Sequence, residues 1–129
     1  ACKDALIECN NPGYDCVVNC LDTQACAGSA KIMGPEGGKL DVNCVGGQAC
    51  EGSTIIDGST STDVTVQCSG GTSCKGSTQV MFGTGHASMT CLGRPTSCQG
   101  MMEVSINKNQ VASYNCVGVY CPRPQYYYL

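Results

Sequence analysis

The sequence predicts an all-β protein: a disulfide-bridged parallel β-solenoid (β-helix) of about five coils with about 24 residues each. Three observations predict this fold. Cysteine contributes 13 of the 129 residues, and the stretch NCVGGQACEGSTI at 43–55 recurs as QCSGGTSCKGSTQ at 67–79. The segment before the first cysteine of each repeated pair alternates apolar and polar residues. A fixed period of this kind is typical of stacked coils, in which every coil pairs with the equivalent segment of the next.

Residues 1–15 (ACKDALIECNNPGYD) precede the first repeat, and we expect them to form a cap or docking segment. The end of a solenoid exposes unpaired strand groups, which natural proteins cover with polar elements. The segment contains Cys2 and Cys9 and is followed by Cys16, which makes an odd set. Cys2–Cys9 or Cys9–Cys16 closes the segment, and the remaining thiol is either a buried free cysteine or one half of an intermolecular bridge.

Residues 16–121 hold the repeats and are predicted to form the solenoid. In LDVNC, Leu40, Val42 and Cys44 fall on one face and Asp41 and Asn43 on the other, which is the period of a half-buried strand. Glycine-rich and polar stretches such as GPEGGK separate these strands and predict corners. A further aliphatic position recurs and is predicted to face the core: Ile32, Ile56, Val80 and Val104. A Greek-key sandwich is the alternative, but it does not require near-identical residues in every repeat.

The repeated cysteines form two series, each with a nearly constant step that matches the repeat period. Two pairings fit stacked coils, because stacked Cα atoms lie about 4.8 Å apart, within disulfide range. Bridges between neighbouring coils leave one cysteine over in each series of five, whereas bridges within each coil use all ten. The second pairing is therefore predicted: Cys20–Cys26, Cys44–Cys50, Cys68–Cys74, Cys91–Cys98 and Cys116–Cys121.

This Cys-x5-Cys spacing, with one bridge per coil, resembles the small disulfide-bridged β-solenoid antifreeze proteins of beetles. The resemblance covers the coils only, since those proteins have a coil half as long and a regular Thr-x-Thr ladder that this chain lacks. The outward positions here are small and polar but not uniform: Asn19, Asn43, Gln67, Thr90 and Asn115 in one column, and Asp41, Thr65, Ser88 and Ser113 in the next. Such columns either support the stack as solvated ladders or form a recognition face for ice or glycan.

Catalytic and metal-binding patterns are not found in the sequence, so we expect no enzyme activity and no cofactor. His86 lies among corner residues without a suggested partner, and GPEGGK lacks the Gly-Lys-Ser/Thr ending of a phosphate loop. The cysteine spacing and the single histidine differ from zinc-ligand patterns. The net charge of −3 argues against a nucleic-acid partner, and no apolar run is long enough to span a membrane.

The chain begins without Met, which we interpret as a processed N-terminus, and disulfides persist outside the cytosol, so an extracellular, secreted protein is expected. Residues 122–129 form an extended aromatic tail. This tail either folds back on its own solenoid or docks on another copy, and we expect it to leave the last coil and dock. The predicted assembly residues are Pro122, Pro124, Tyr126, Tyr127, Tyr128 and Leu129. The leading expectation is a structural subunit that polymerises head to tail into a fibre or surface layer. The alternatives are a module that recognises ice or glycan and a small inhibitor or toxin-like ligand.

Overall fold

The computed structural model describes residues 4, 6–21, 25–69, 74, 79–81, 85–92, 103–106, 112–117 and 125–128. These residues form eleven β-strands and no helix, and hence no helix that is long and apolar enough to cross a membrane. The strands are β1 (Leu6–Glu8), β2 (Cys16–Cys20), β3 (Lys31–Met33), β4 (Leu40–Val45), β5 (Ile55–Asp57), β6 (Val64–Ser69), β7 (Gln79–Met81), β8 (Ala87–Leu92), β9 (Glu103–Ile106), β10 (Ala112–Val117) and β11 (Gln125–Tyr128).

The strands alternate between two parallel sheets. The odd sheet has the order β1-β3-β5-β7-β9-β11, and the even sheet has the order β10-β8-β6-β4-β2. Along the chain, one strand of the other sheet always lies between two neighbours of the same sheet. Between β2 and β10, neighbouring strands are therefore equivalent segments of successive repeats. The prediction of an all-β protein with parallel strands and disulfide bridges is confirmed.

The repeat period sets the register of the even sheet. Leu40 lies opposite Val64, which is the equivalent residue of the next repeat. The step from Val64 to its partner Ala87 is slightly shorter, and the step from Ala87 to its partner Ala112 is slightly longer. The connections therefore absorb the change in length, because a slip of one residue within the strands would turn their apolar positions out of the core.

Both sheets contribute to a single apolar core. Leu40 and Val64 of the even sheet belong to the same buried cluster as the odd-sheet residues Ile32, Ile56 and Val80. Ile56 lies between Ile32 and Val80 in its column, and all three side chains have 0% exposure. Burying one such aliphatic side chain contributes about 1.5–3 kcal/mol to stability. Much of the remaining core is Ala, Val and Cys, so the cross-section is narrow.

Two buried hydroxyl groups join successive repeats at the connections between strands. Thr54 donates from Oγ1 to the carbonyl oxygen of Cys26 over 2.8 Å, and Ser61 donates from Oγ to the carbonyl oxygen of Pro35 over 2.8 Å. No buried side-chain nitrogen or oxygen of the described residues lacks a hydrogen-bond partner. The narrow core therefore carries no desolvation cost from unpaired side-chain groups in this part of the chain.

The two segments outside the predicted coils also contain strands. β1 pairs with β3, which places Ile7 opposite Ile32, and β11 pairs with β9, which places Tyr126 opposite Val104. An apolar residue thus continues the aliphatic column of the odd sheet at each end, and this explains why both segments join the sheet. The strand Gln125–Tyr128 extends the chain's own sheet, whereas the sequence predicted that the tail would leave the last coil.

Candidate functional surfaces

A column of disulfides runs beside the even sheet. The bridges Cys20–Cys26, Cys44–Cys50 and Cys68–Cys74 each join residues six apart, with Cα–Cα distances of 5.9, 5.9 and 6.1 Å. The first cysteine lies in the strand, and the second has a φ of 55–56° in all three bridges. This left-handed backbone turns the chain back towards the strand that it has just left. Each bridge therefore fixes one tight connection of one repeat.

The N-terminal segment is held by a further bridge, between Cys9 and Cys16. This is one of the two pairings that the sequence left open. Cys91 is also disulfide-bonded, and it lies opposite Cys68 and Cys116 in the register of the even sheet. Three further cysteines lie outside the described residues: Cys2, Cys98 and Cys121.

The stacked bridges bring several sulfur atoms close together. The Sγ atoms of Cys20, Cys44 and Cys50 lie within 4.8 Å of one another, and so do those of Cys44, Cys68 and Cys74. Soft metal ions bind thiolates, and every sulfur in these two groups is part of a disulfide. In this oxidised state the column can cross-link the chain, but it offers no thiolate ligand.

The outward face of the even sheet presents the predicted polar columns. The Asn43 side chain donates from Nδ2 to Oδ1 of Asn19 over 2.9 Å, which begins a ladder of amides along the sheet. The register continues that column through Gln67, Thr90 and Asn115, and sets Asp41, Thr65, Ser88 and Ser113 in the adjacent column. An array of this kind places donors and acceptors at the regular spacing of the strands.

A further column lies directly before the even strands and was not predicted from the sequence. We call Asp15, Lys39 and Asp63 the charge column. The Lys39 backbone N–H donates to Oδ1 of Asp15 over 3.1 Å, and the His86 backbone N–H donates to Oδ1 of Asp63 over 2.8 Å. Lys39 Nζ also lies 4.0 Å from Oδ2 of Asp63. The sequence signal is the residue directly before each strand, where acidic and basic side chains alternate. The His86 side chain is exposed, as expected for a corner residue.

Exposed apolar side chains of the described residues concentrate at one end of the sheets. Four of the five large ones lie between residues 6 and 21: Leu6, Tyr14, Val17 and Leu21. A cavity of about 530 Å³ opens beside them and is lined by Ile7, Tyr14, Val18 and Pro35, among others. Apolar surface gathered at a sheet end, rather than scattered singly, is typical of an interaction surface.

The same end carries backbone groups that can pair with another strand. The Cys16 N–H donates to the carbonyl oxygen of Lys39, on the side of β4. Because successive residues of a strand direct their backbone groups to opposite edges, the groups of Val17 and Asn19 point away from β4. β2 is the terminal strand of the even sheet in the described part of the chain, so no described strand pairs with this edge.

The predicted assembly residues fall at the other end. Tyr126, Tyr127 and Tyr128 lie in β11, the terminal strand of the odd sheet. The remaining assembly residues lie outside the described residues: Pro122, Pro124 and Leu129. The molecule is thus an all-β protein of two parallel sheets with disulfide cross-links. Comparisons with known proteins returned no match, whether to a family model, a curated protein or a solved structure.

Proposed function

We propose that the chain is a parallel β-solenoid in which each repeat between residues 16 and 121 is one coil. The alternation of successive strands between two sheets supports this, and so does a third line of contacts. The Cys50 N–H donates to the carbonyl oxygen of Ala25 over 2.9 Å, and the Cys74 N–H donates to that of Ala49 over 2.9 Å. In the repeats between Ala25 and Cys74, three stacked segments therefore form the sides of a coil. Residues 1–15 act as a cap or docking segment and residues 122–129 as the tail.

The function we propose is that of a non-catalytic structural subunit, which assembles head to tail into an extracellular fibre or surface layer. The proposal is carried by the end at β2, which is apolar and which no described strand pairs with. In the middle of each sheet a strand already pairs with equivalent strands on both sides. The edges of β10 and β2 that no described strand occupies match each other in the same way. A contact between two different ends of one molecule propagates into a filament.

Apolar burial at this end can be compared with the free-energy cost of association. Covering one Leu or Val side chain contributes about 1.5–3 kcal/mol, and Leu6, Val17 and Leu21 are each about 60% exposed. Association costs roughly 4–15 kcal/mol in lost rigid-body freedom. Apolar burial from these residues alone offsets only part of that cost, so backbone pairing along both sheets has to contribute as well.

Localisation outside the cytosol is part of the same proposal. The described bridges are compatible with an oxidising compartment, and short-loop disulfides stabilise a chain with a narrow core. A fibre or layer outside the cell gains from such bridges, because subunits there are exposed to dilution, proteases and temperature changes without chaperones.

The proposal is tested by size measurement and negative-stain microscopy of the 129-residue chain over a range of concentrations. Val17→Pro removes an edge N–H while leaving the bonds to β4 intact, so it should stop assembly without unfolding the subunit. Val17→Thr is the matched control, which keeps the N–H and the β-branched shape and should still assemble. A wild-type chain that stays monomeric at high concentration contradicts the proposal.

A second candidate function is recognition of an ordered polysaccharide or ice by the outward face of the even sheet. The Asn43–Asn19 hydrogen bond favours it, because it holds two amides in fixed positions. Co-sedimentation with an insoluble polysaccharide and measurement of ice growth test this idea. Thr65→Lys on that face should abolish binding, whereas Gln79→Lys on the odd sheet should not. Equal binding by both variants argues against the face.

A further inference from the structure

We propose that subunits join by strand exchange, in which β11 of one copy takes the place of β1 in the odd sheet of the next copy. The inference rests on the proposed end-to-end assembly and identifies the contact that it uses. It follows from the number and order of the described strands, because the odd sheet has six strands and the even sheet has five.

A direct stack cannot continue both sheets. If β11 pairs with β1 of the next copy, the odd sheet continues, but a space one strand wide remains in the even sheet between β10 and the next β2. If β10 pairs with β2 of the next copy, the even sheet continues, but β11 and the next copy's β1 then claim the same position beside its β3. Both sheets continue only when one of these two strands withdraws.

The structure indicates that β1 is the strand that withdraws. β1 has three residues and β11 has four. In the aliphatic column Ile32, Ile56 and Val80 have no exposed surface, whereas Ile7 is only partly buried and its neighbour Leu6 is 60% exposed. β1 is therefore the most weakly packed described member of that column at this end of the sheet.

The register allows the replacement. Through successive pairs, Tyr126 occupies the same column position as Ile7, and Gln125 the same position as Leu6. In the exchanged joint Tyr126 lies opposite Ile32 of the next copy, so an apolar residue replaces an apolar residue. The Cys9–Cys16 bridge keeps the connection to β2 in place while Leu6–Glu8 detaches.

The joint predicts the spacing of subunits along a filament. Strand exchange advances each copy by five strand spacings, which is about 24 Å at about 4.8 Å per strand. Pairing of β11 with an undisturbed β1 advances each copy by six spacings, or about 29 Å. Helical reconstruction of filaments separates these two values.

Two engineered disulfides test which strand moves. Leu6→Cys with Lys31→Cys locks β1 to β3, since these residues are opposite each other in register. Glu103→Cys with Gln125→Cys locks β11 to β9 in the same way and is the matched control. The β1-locked variant should remain monomeric, and the β11-locked variant should form filaments with a rise of about 24 Å per subunit. Deleting residues 1–8 should lower the concentration needed for assembly at least several-fold, because no strand then has to detach.

The outcomes separate the two proposals. If wild-type protein forms no filament, the end-to-end function fails and the exchange fails with it. If wild-type protein forms filaments but the β1-locked variant does so equally well, or the rise is about 29 Å, the strand exchange alone is wrong. Loss of assembly on deleting residues 1–8, in a chain that still gives the β-sheet circular dichroism of the wild type, contradicts the exchange as well.

Discussion

Replacing the Cys44–Cys50 bridge tests how the disulfide column and the left-handed connection stabilise one repeat. The loop closed by the bridge spans six residue steps, and the chain-entropy relation gives about 2 kcal/mol for closing it. Cys44→Ala with Cys50→Gly should therefore lower the free energy of unfolding by about 1–2 kcal/mol, because Gly at the positive φ of position 50 offsets part of the loss of the bridge. Urea unfolding measures this loss.

The matched variant replaces Cys50 with Ala instead of Gly. Cys50 has a φ of 56°, a conformation that costs an L-residue about 1–2 kcal/mol and costs Gly nothing. Gly also makes the unfolded chain more flexible, which lowers the free energy of unfolding by about 0.4–1 kcal/mol relative to Ala. The Ala variant should therefore be less stable than the Gly variant by about 0.5–1 kcal/mol. An Ala variant that equals or exceeds the Gly variant refutes the left-handed connection.

Three further substitutions test the core, the buried hydroxyls and the charge column. Ile56→Ala should lower the free energy of unfolding, measured in urea, by about 2–5 kcal/mol. Thr65→Ala on the exposed face should change it by less than about 0.5 kcal/mol. Similar losses in the two variants would contradict the assignment of the buried and exposed faces. Thr54→Val should lower the free energy of unfolding by about 1–3 kcal/mol, because the buried carbonyl oxygen of Cys26 loses its donor. An unchanged stability would show that this hydrogen bond does not stabilise the fold. Lys39→Glu should lower the free energy of unfolding by a few tenths of a kcal/mol, because it places a second negative charge beside Asp63. The loss should be larger at low salt, and a loss that does not depend on salt would contradict the charge column.

The repeat period allowed the main features of the fold to be predicted. The constant step between repeats places Leu40 opposite Val64 in parallel strands, and the structure has that pair. Alternation in LDVNC predicted the buried face correctly, since Leu40, Val42 and Cys44 are buried. These features follow from local pattern alone, because nearly the same short segment recurs in each repeat and each copy is the template for its neighbour.

The ends and the charge column could not be predicted in the same way. β1 and β11 occur once each outside the repeated cysteine pairs, so no period marked Ile7 and Tyr126 as members of the aliphatic column. The sequence also left two partners open for Cys9, because it did not show that β1 ends just before this residue and that the chain then turns towards Cys16. The column at Asp15, Lys39 and Asp63 lies in connections of variable sequence, where only the three-dimensional register reveals that the charges stack.

X-ray diffraction from aligned assemblies of the 129-residue chain tests end-to-end stacking most directly. Head-to-tail solenoids place every strand perpendicular to the filament axis, so the reflection at about 4.8 Å from strand spacing should lie on the meridian. The same filaments should be one solenoid wide by electron microscopy. A reflection of that spacing on the equator, which indicates side-by-side packing, or a chain that stays monomeric at every concentration, contradicts the account.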